Sequence, residues 1–382
     1  MNTRQRPACL VVLALGCVSA LHPLRAAEIT PDDLLAGVSL NVSLEKLDLV
    51  DDRDVLAVSP EMEAFLDAYV QGGSNEFLRF RQLAYAIINE KTFGLEYDET
   101  TRTASETFRL RRGNCLSFSN MFVALARAAG LDAEFQEVDI PPDWTFRNDA
   151  FVLNRHVNVV VDLGTSGVQA VDFNMDDFKT SYDRWTIPDR RAMAHFYNNL
   201  GVESLNAGDT ATALAYFRRA IADHDRRFAP AWTNLGILYL REGHPEHAEA
   251  AFLQALSVKP KDLVAMSNLA NFYENQGQPE QAEIYHKKVT QHRRKNPYYR
   301  YFLAREAFLS GDYDEAIKHL KYAIRKRQQE DQFFFLLGLS YLQKGNKEAA
   351  RTWLDRAEKT AASDALKRNY SNKIDMLLSA PN

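Results

Sequence analysis

Hydrophobic positions follow two different rhythms along the chain, and the change falls near residue 190. Downstream, the segments NNLGVESLNAGD, TNLGILYLREGH, SNLANFYENQGQ, YFLAREAFLSGD and FLLGLSYLQKGN align with Gly201, Gly236, Ala270, Ala304 and Gly338 in register. Gly208, Gly243, Gly277, Gly311 and Gly345 recur at the same intervals, as do Ala213, Ala248, Ala282, Ala316 and Ala350. Small residues at a crossing let two antiparallel helices approach, and a glycine ends the first of them, so the pattern predicts five stacked helical hairpins. Upstream, SPEMEAFLDAYV and NEFLRFRQLAYAIINE have helical spacing. A further helix starts at Cys115, with Asn114 as its N-cap, Phe118, Met121, Phe122 and Leu125 as its buried stripe and Gly130 as its end. Val-rich runs at 132–138, 150–153, 155–163 and 167–173 then alternate in polarity and predict hairpin-connected strands. Helices followed by such strands predict an α+β domain.

The downstream register resembles five tetratricopeptide repeats over roughly residues 194 to 360, and the second repeat adds Trp232, Tyr239, Phe252, Ala255 and Pro260. His286 departs from the pattern, standing where a bulky apolar residue is usual. The resemblance implies an all-α superhelix over 189–360, whose concave face takes a protein or peptide, and a capping helix with a tail over 361–382.

Charge adds two constraints. A net charge of -5 over 382 residues argues against a general nucleic-acid binder, which needs a basic footprint. The balance is uneven: 287–327 is strongly basic and 28–67 acid-rich. Either the basic stretch grips acidic tails, or it is a solvated face, or the two stretches neutralise each other across a domain interface.

At the N-terminus, Arg4 and Arg6 precede an apolar run from Ala8 to Leu15 and then small residues, the layout of an export signal over 1–26. The run is shorter than the ~20 residues that span a bilayer. Cleavage after Val18-Ser19-Ala20 gives a soluble protein of the bacterial periplasm, whereas LALGC resembles a lipobox with Cys17 as an acylated anchor at the envelope. Either way Cys9 and Cys17 leave Cys115 without a disulfide partner in an oxidising compartment.

Cys115 is a buried small hydrophobe or a nucleophile. Its place at the positive end of a helix favours a thiolate, and a thiol nucleophile needs a base. Of the nine histidines, one lies in the export segment and six in the repeats, while His195 opens the first repeat helix. That leaves His156 in the alternating NRHVNVVVDL. For a carboxylate to orient it, Asp172 in GVQAVDFNM is the better candidate, since Asp162 falls at a loop end and Asn174 is a weaker substitute. Parity supplies a condition. If Leu163 pairs with Gly167 around the three-residue loop 164–166, Asp172 shares a face with Asn158 and His156; an even loop reverses it.

The stretch YDETTRTASETFRLRRGNCLSFSNMFVALARAAGLDAEF, then RHVNVVV, then AVDF, resembles the transglutaminase-like superfamily of papain-type thiol enzymes. The resemblance spans about residues 60–180 and implies Cys115 as nucleophile, His156 as general base and acid and Asp172 as orienter in a domain over 27–188. Val157, Asn158 and Val159 replace the aromatic and acidic residues that often follow that family's histidine. One oxyanion donor is expected to be the Cys115 main-chain N–H, and Trp144 in the loop 139–149 either walls the acyl site or packs in the loop. The function expected is an exported thiol enzyme, without cofactor or metal, that acylates Cys115 from a protein or peptide amide and passes the acyl group to water or an amine. The alternatives are a catalytically silent scaffold of an envelope complex and a peptidoglycan-peptide amidase.

Overall fold

The computed structural model describes residues 29–70, 75–89, 92–139, 155–172, 183–361 and 364–379. The export segment with Cys9 and Cys17, the run 150–153, Trp144 and Asn174 lie outside the described residues. In chain order the first half carries α1 (Pro31–Ala36), α2 (Asp52–Val55), α3 (Pro60–Tyr69), α4 (Glu76–Ile88), β1 (Glu96–Tyr97), α5 (Ala104–Leu110), β2 (Arg112–Gly113), α6 (Cys115–Ala128), β3 (Asp132–Asp139), β4 (Arg155–Asp162), β5 (Val168–Val171) and β6 (Asp183–Ile187). The helices start where the sequence offers caps: Ser59, Asn75, Thr103 and Asn114 each accept a first-turn main-chain N–H.

The main sheet runs β5-β4-β3-β6, every pair antiparallel. Leu163 N–H donates to the Gly167 carbonyl at 3.0 Å across the turn 164–166. Val159 therefore pairs with Val171, and Asp172 follows on the face of Asn158 and His156, the parity that a three-residue loop requires. Strand β6 has no counterpart in the sequence reading. It is a short edge strand with only Ile187 buried, so it lacks an alternation to detect.

Helix α6 also departs from expectation. Rather than one buried stripe, every residue from Leu116 to Ala126 is buried, because β3 and β4 cover one side while α3 and α5 cover others. The helix is thus an interior one, with Ser117, Ser119 and Asn120 among its buried residues.

The second half pairs α7 (Asp189–Asn206) with α8 (Thr210–Arg218), α9 (Ala229–Arg241) with α10 (Pro245–Val258), α11 (Leu263–Asn275) with α12 (Pro279–Lys295), α13 (Pro297–Leu309) with α14 (Tyr313–Lys326) and α15 (Asp331–Gln343) with α16 (Lys347–Thr360). A π-helical turn, Arg219–His224, extends α8, and α17 (Asp364–Ser379) packs on α16. Close approach explains the small residues: a Cβ on Gly236 would lie 2.6 Å from Phe252 Cε1, inside contact distance. One apolar core runs from Leu34 through the α+β domain to Ala282, while the fourth and fifth repeats share a second cluster and the end of α16 packs with α17 in a third.

The acid-rich segment before α3 lies along the first two repeats. Tyr239 Oη donates to the Leu34 carbonyl at 2.6 Å, and Arg219 donates to the Val50 carbonyl at 2.7 Å. Asp32 meets Arg226 at 2.5 Å, and Asp52 meets Arg219 and His224 at 3.1 and 3.2 Å. Among the described residues, Asp32 and Asp52 thus meet basic side chains of 219–226, and Asp52 also accepts from Tyr197 Oη at 2.6 Å. The end of the basic stretch does touch the first domain, through Arg327 and Asp183. Among the described residues no helix is long and apolar enough to cross a membrane.

Candidate active site

The start of α6 is built by hydrogen bonds from both directions. Asn114 Oδ1 accepts from Ser117 N–H at 2.9 Å, and Asn114 Nδ2 donates to Thr101 Oγ1 at 2.8 Å. Ser117 Oγ in turn accepts from Arg102 N–H at 2.8 Å. Gly113 makes room for this packing, since a Cβ there would fall 2.6 Å from Ser117 Cβ. Cys115 follows as the first helical residue, partly exposed and with no disulfide partner. Its main-chain N–H and those just after it form the positive end of the helix dipole.

His156 comes to the thiol on β4. Its Nε2 lies 2.6 Å from Asp172 Oδ2, and Asp172, just beyond β5, is almost wholly buried. The same carboxylate oxygen accepts from Asn158 Nδ2 at 2.9 Å. Burial works against a charged ring, yet hydrogen bonds to Asp172 and to Cys115 raise His156 to about 9. With Nε2 turned to Asp172, Nδ1 is the ring nitrogen left for the thiol. Cys115, His156 and Asp172, distant in sequence, are thereby brought into one line. Asp162 is not part of it: its Oδ1 accepts from Gly164 N–H at 2.9 Å and shapes the turn. Among the described residues, no cluster of three or more His, Cys, Asp or Glu side chains has a metal-holding arrangement.

Three neighbours of the site were not singled out from sequence. Asn158 holds the Asp172 carboxylate, and its signal was there, two positions beyond His156 on the same strand face. Ser119 Oγ lies 2.9 Å from the Cys115 carbonyl and 3.0 Å from the Val157 carbonyl, so one hydroxyl links the cysteine helix to the histidine strand. Its signal is a small polar residue one turn after Cys115, between Phe118 and Met121 of the apolar stripe. Tyr97 pairs with Gly113 in the parallel β1–β2 bridge, and partial burial, with Cys115 adding to it, pushes its hydroxyl up. Only that pairing across the fold brings it there.

His195 has a different duty. On α7 it sits 2.8 Å from Glu137 Oε1, which also accepts from Arg191 Nε at 2.7 Å. Glu137 is buried on β3; burial opposes its charge, but His195 and Arg191 hold it at about 2. This cluster joins the sheet to the first repeat helix.

Residues 63–186 match the family model for the transglutaminase-like superfamily, and residues 198–262, 251–284 and 301–365 match models of the tetratricopeptide repeat. Among curated proteins, the chain is 27% identical over 134 residues to anaphase-promoting complex subunit 3 of Schizosaccharomyces pombe, across 35% of this chain and 20% of that protein. The chain thus spans about a fifth of the length of that curated relative. Among solved structures it is similar to YrrB, described as a TPR protein with an unusual peptide-binding site, at 21% identity over 47% of this chain and 92% of that one, with a TM-score of 0.24. It is also similar to MamA, at 17% identity over 46% of this chain and 94% of that one, again with a TM-score of 0.24.

Proposed function

From a chain that joins a transglutaminase-like domain to tetratricopeptide repeats, we propose a thiol acyl-transfer enzyme acting on protein or peptide amides, with Cys115, His156 and Asp172 as its catalytic triad. The observation that carries this reading is the 2.6 Å contact between His156 Nε2 and buried Asp172, in a histidine raised to about 9 partly by its hydrogen bond to Cys115. A ring protonated at neutral pH beside a thiol is the partner a thiolate needs.

The steps follow from these positions. Cys115 Sγ attacks the amide carbonyl carbon, and the tetrahedral oxyanion is met by main-chain N–H groups at the start of α6. His156 gives its proton to the leaving amine as the C–N bond breaks, which leaves a thioester on Cys115 and a neutral imidazole. Water or a second amine then attacks the thioester carbonyl. His156 takes the attacking group's proton as the C–S bond breaks, and the thiolate and imidazolium return. Asp172 holds the ring in the tautomer and orientation that both transfers require. Water as acceptor makes the enzyme an amidase or protease, and an amine makes it a cross-linker.

The repeats serve, on this proposal, to dock the protein substrate or a protein partner, since stacked hairpins present an extended concave surface. The layout of residues 1–26 supports a further part of the proposal, that the enzyme works in the bacterial envelope, either released into the periplasm or lipid-anchored through Cys17. Radiolabelled palmitate incorporation that disappears in Cys17→Ser identifies the anchored form; no incorporation in the wild type removes it.

The deciding test is the rate of Cys115 alkylation by iodoacetamide against pH, in wild type and in His156→Ala. A thiolate–imidazolium pair gives fast alkylation well below pH 8 that is lost in the variant. A thiol titrating near the unperturbed value of about 8.5 in both proteins removes the enzyme reading and leaves the silent scaffold. Products formed from a glutamine-containing peptide, with and without an added amine, then separate hydrolysis from transfer.

A further inference from the structure

The first repeat helix is tied antiparallel to the cysteine helix at both of its ends. At one end Arg127, in the last turn of α6, donates two hydrogen bonds to Asp189 at 2.6 and 2.8 Å. At the other, Glu203 Oε1 accepts the Thr101 main-chain N–H at 2.8 Å. From Asp189 to Glu203, α7 rises about 21 Å, close to the roughly 18 Å of α6 between Arg127 and Cys115. Beyond Thr101 the chain of bonds continues. Thr101 Oγ1 accepts from Asn114 Nδ2 at 2.8 Å, and Asn114 Oδ1 caps α6 through Ser117 N–H at 2.9 Å. Thr101 is buried and Glu203 is half-buried, so both bonds are shielded from competing water.

We infer that Glu203, a residue of the first tetratricopeptide repeat, is a positioning residue of the thiol site: through Thr101 and Asn114 it fixes the helix start that presents Cys115. This rests on the triad proposed above and goes beyond it, because it makes the repeat array part of the thiol site's framework as well as a docking surface. Glu203 touches no reacting atom. It acts on the direction of the first N–H groups of α6, which set the field at the thiol and the place of the oxyanion. Without its oxygen the Thr101 N–H loses its partner, the segment before α5 keeps its ties to Ser117 and Gly113 but loses its tie to the repeats, and the hydroxyl that orients the Asn114 amide is held less firmly. Gln supplies the same carbonyl acceptor at the same reach and preserves the chain of bonds; Ala does not.

The test is the iodoacetamide alkylation profile of the full chain between pH 5 and 10. Glu203→Ala and Thr101→Val, which break successive links, are both expected to slow alkylation at pH 6 about fivefold, equivalent to about 1 kcal/mol of lost capping. Glu203→Gln is expected to follow the wild type. Asn346→Ala removes a cap of the same kind from α16, where Asn346 Oδ1 accepts Ala349 N–H at 3.0 Å. It is expected to lower thermal stability without moving the profile, so it separates positioning from loss of stability. Should Glu203→Ala not fold, Thr101→Val carries the comparison alone. Profiles of Glu203→Ala and Thr101→Val that overlay a wild type with fast low-pH alkylation overturn the inference and leave the triad standing. A Glu203→Gln profile as slow as that of Ala also overturns it. A wild type that titrates like an ordinary thiol removes the triad and this inference together.

Discussion

The two halves of the molecule solve the packing problem with contacts of different reach. In the repeats each hairpin closes on itself and on the next, and the rule that sets the contact is visible in the sequence: Gly236 faces Phe252, and Gly201 faces Phe217 one repeat earlier. The α+β domain has no such rule. Cys115 on α6 meets His156 on β4 although β3 lies between them in the sequence, and His156 meets Asp172 only because one turn has an odd length. An array built from repeated local contacts tolerates a local fault, whereas a site assembled from distant segments depends on each register being right.

The largest expected departure is at the site. Asp172→Asn keeps the shape but not the charge, and should slow acyl transfer by about 10⁴-fold, measured as ammonia release from a peptide amide, with little change in the unfolding of the repeats. If the loss is below tenfold, the two halves differ less in function than their geometry suggests.

The join between the halves comes next. Glu137→Ala removes the carboxylate that His195 and Arg191 share and leaves Arg191 its pairing with Asp225, and should cost about 3–5 kcal/mol in urea unfolding. The sign with pH is set by a carboxyl held at about 2 against an ordinary 4.5: its stabilisation is present above about pH 4.5 and is lost as pH falls toward 2. An acid transition unchanged in Glu137→Gln would show that this join does not link the two halves energetically.

His156 titrates in the opposite sense. With its pKa raised from 6.5 to about 9, its pairing stabilises the fold fully below pH 6.5 and loses that contribution as pH rises through 9. The melting temperature of the wild type should therefore decline over this window by more than that of His156→Gln. Acylation from an amide should fall over the same range, as the proton for the leaving amine is lost.

The smallest effect is in the array. Gly236→Ala forces a methyl against Phe252 and should cost about 1–3 kcal/mol by overpacking, read as a lower melting temperature. Cys115 alkylation in the folded variant should stay at the wild-type rate. A matching loss of alkylation would show that strain in the second repeat reaches the thiol, and that the halves are more tightly joined than their separate packing rules imply.

The legibility of each region follows from the reach of its contacts. The hairpins, the cap at Asn114 and the strands β3, β4 and β5 are readable because periodicity and capping act within a short stretch of chain. The parity condition at 164–166 was also readable, since hairpin geometry is local. Strand β6 was not, being short and mostly exposed at a sheet edge. The burial of α6 on all sides was missed because it depends on which elements pack around the helix, not on its own pattern. Likewise, the acidic stretch gave no sign of whether Arg219, His224 and Arg226 or the basic run would meet it, since charge has no sequence register.

By itself, then, the sequence determined the two architectures and offered Cys115, His156 and Asp172 as chemistry, because residue type, spacing and parity are properties of a short stretch of chain. Only the tertiary structure decided that Asn158 shares the Asp172 carboxylate, that Ser119 bridges helix and strand, and that Glu203 of the first repeat reaches the cap of the cysteine helix. Those are contacts between elements brought together by burial of a common core. The hydrogen bond from Thr101 to Glu203 depends on where two backbones come to rest, which no local pattern records.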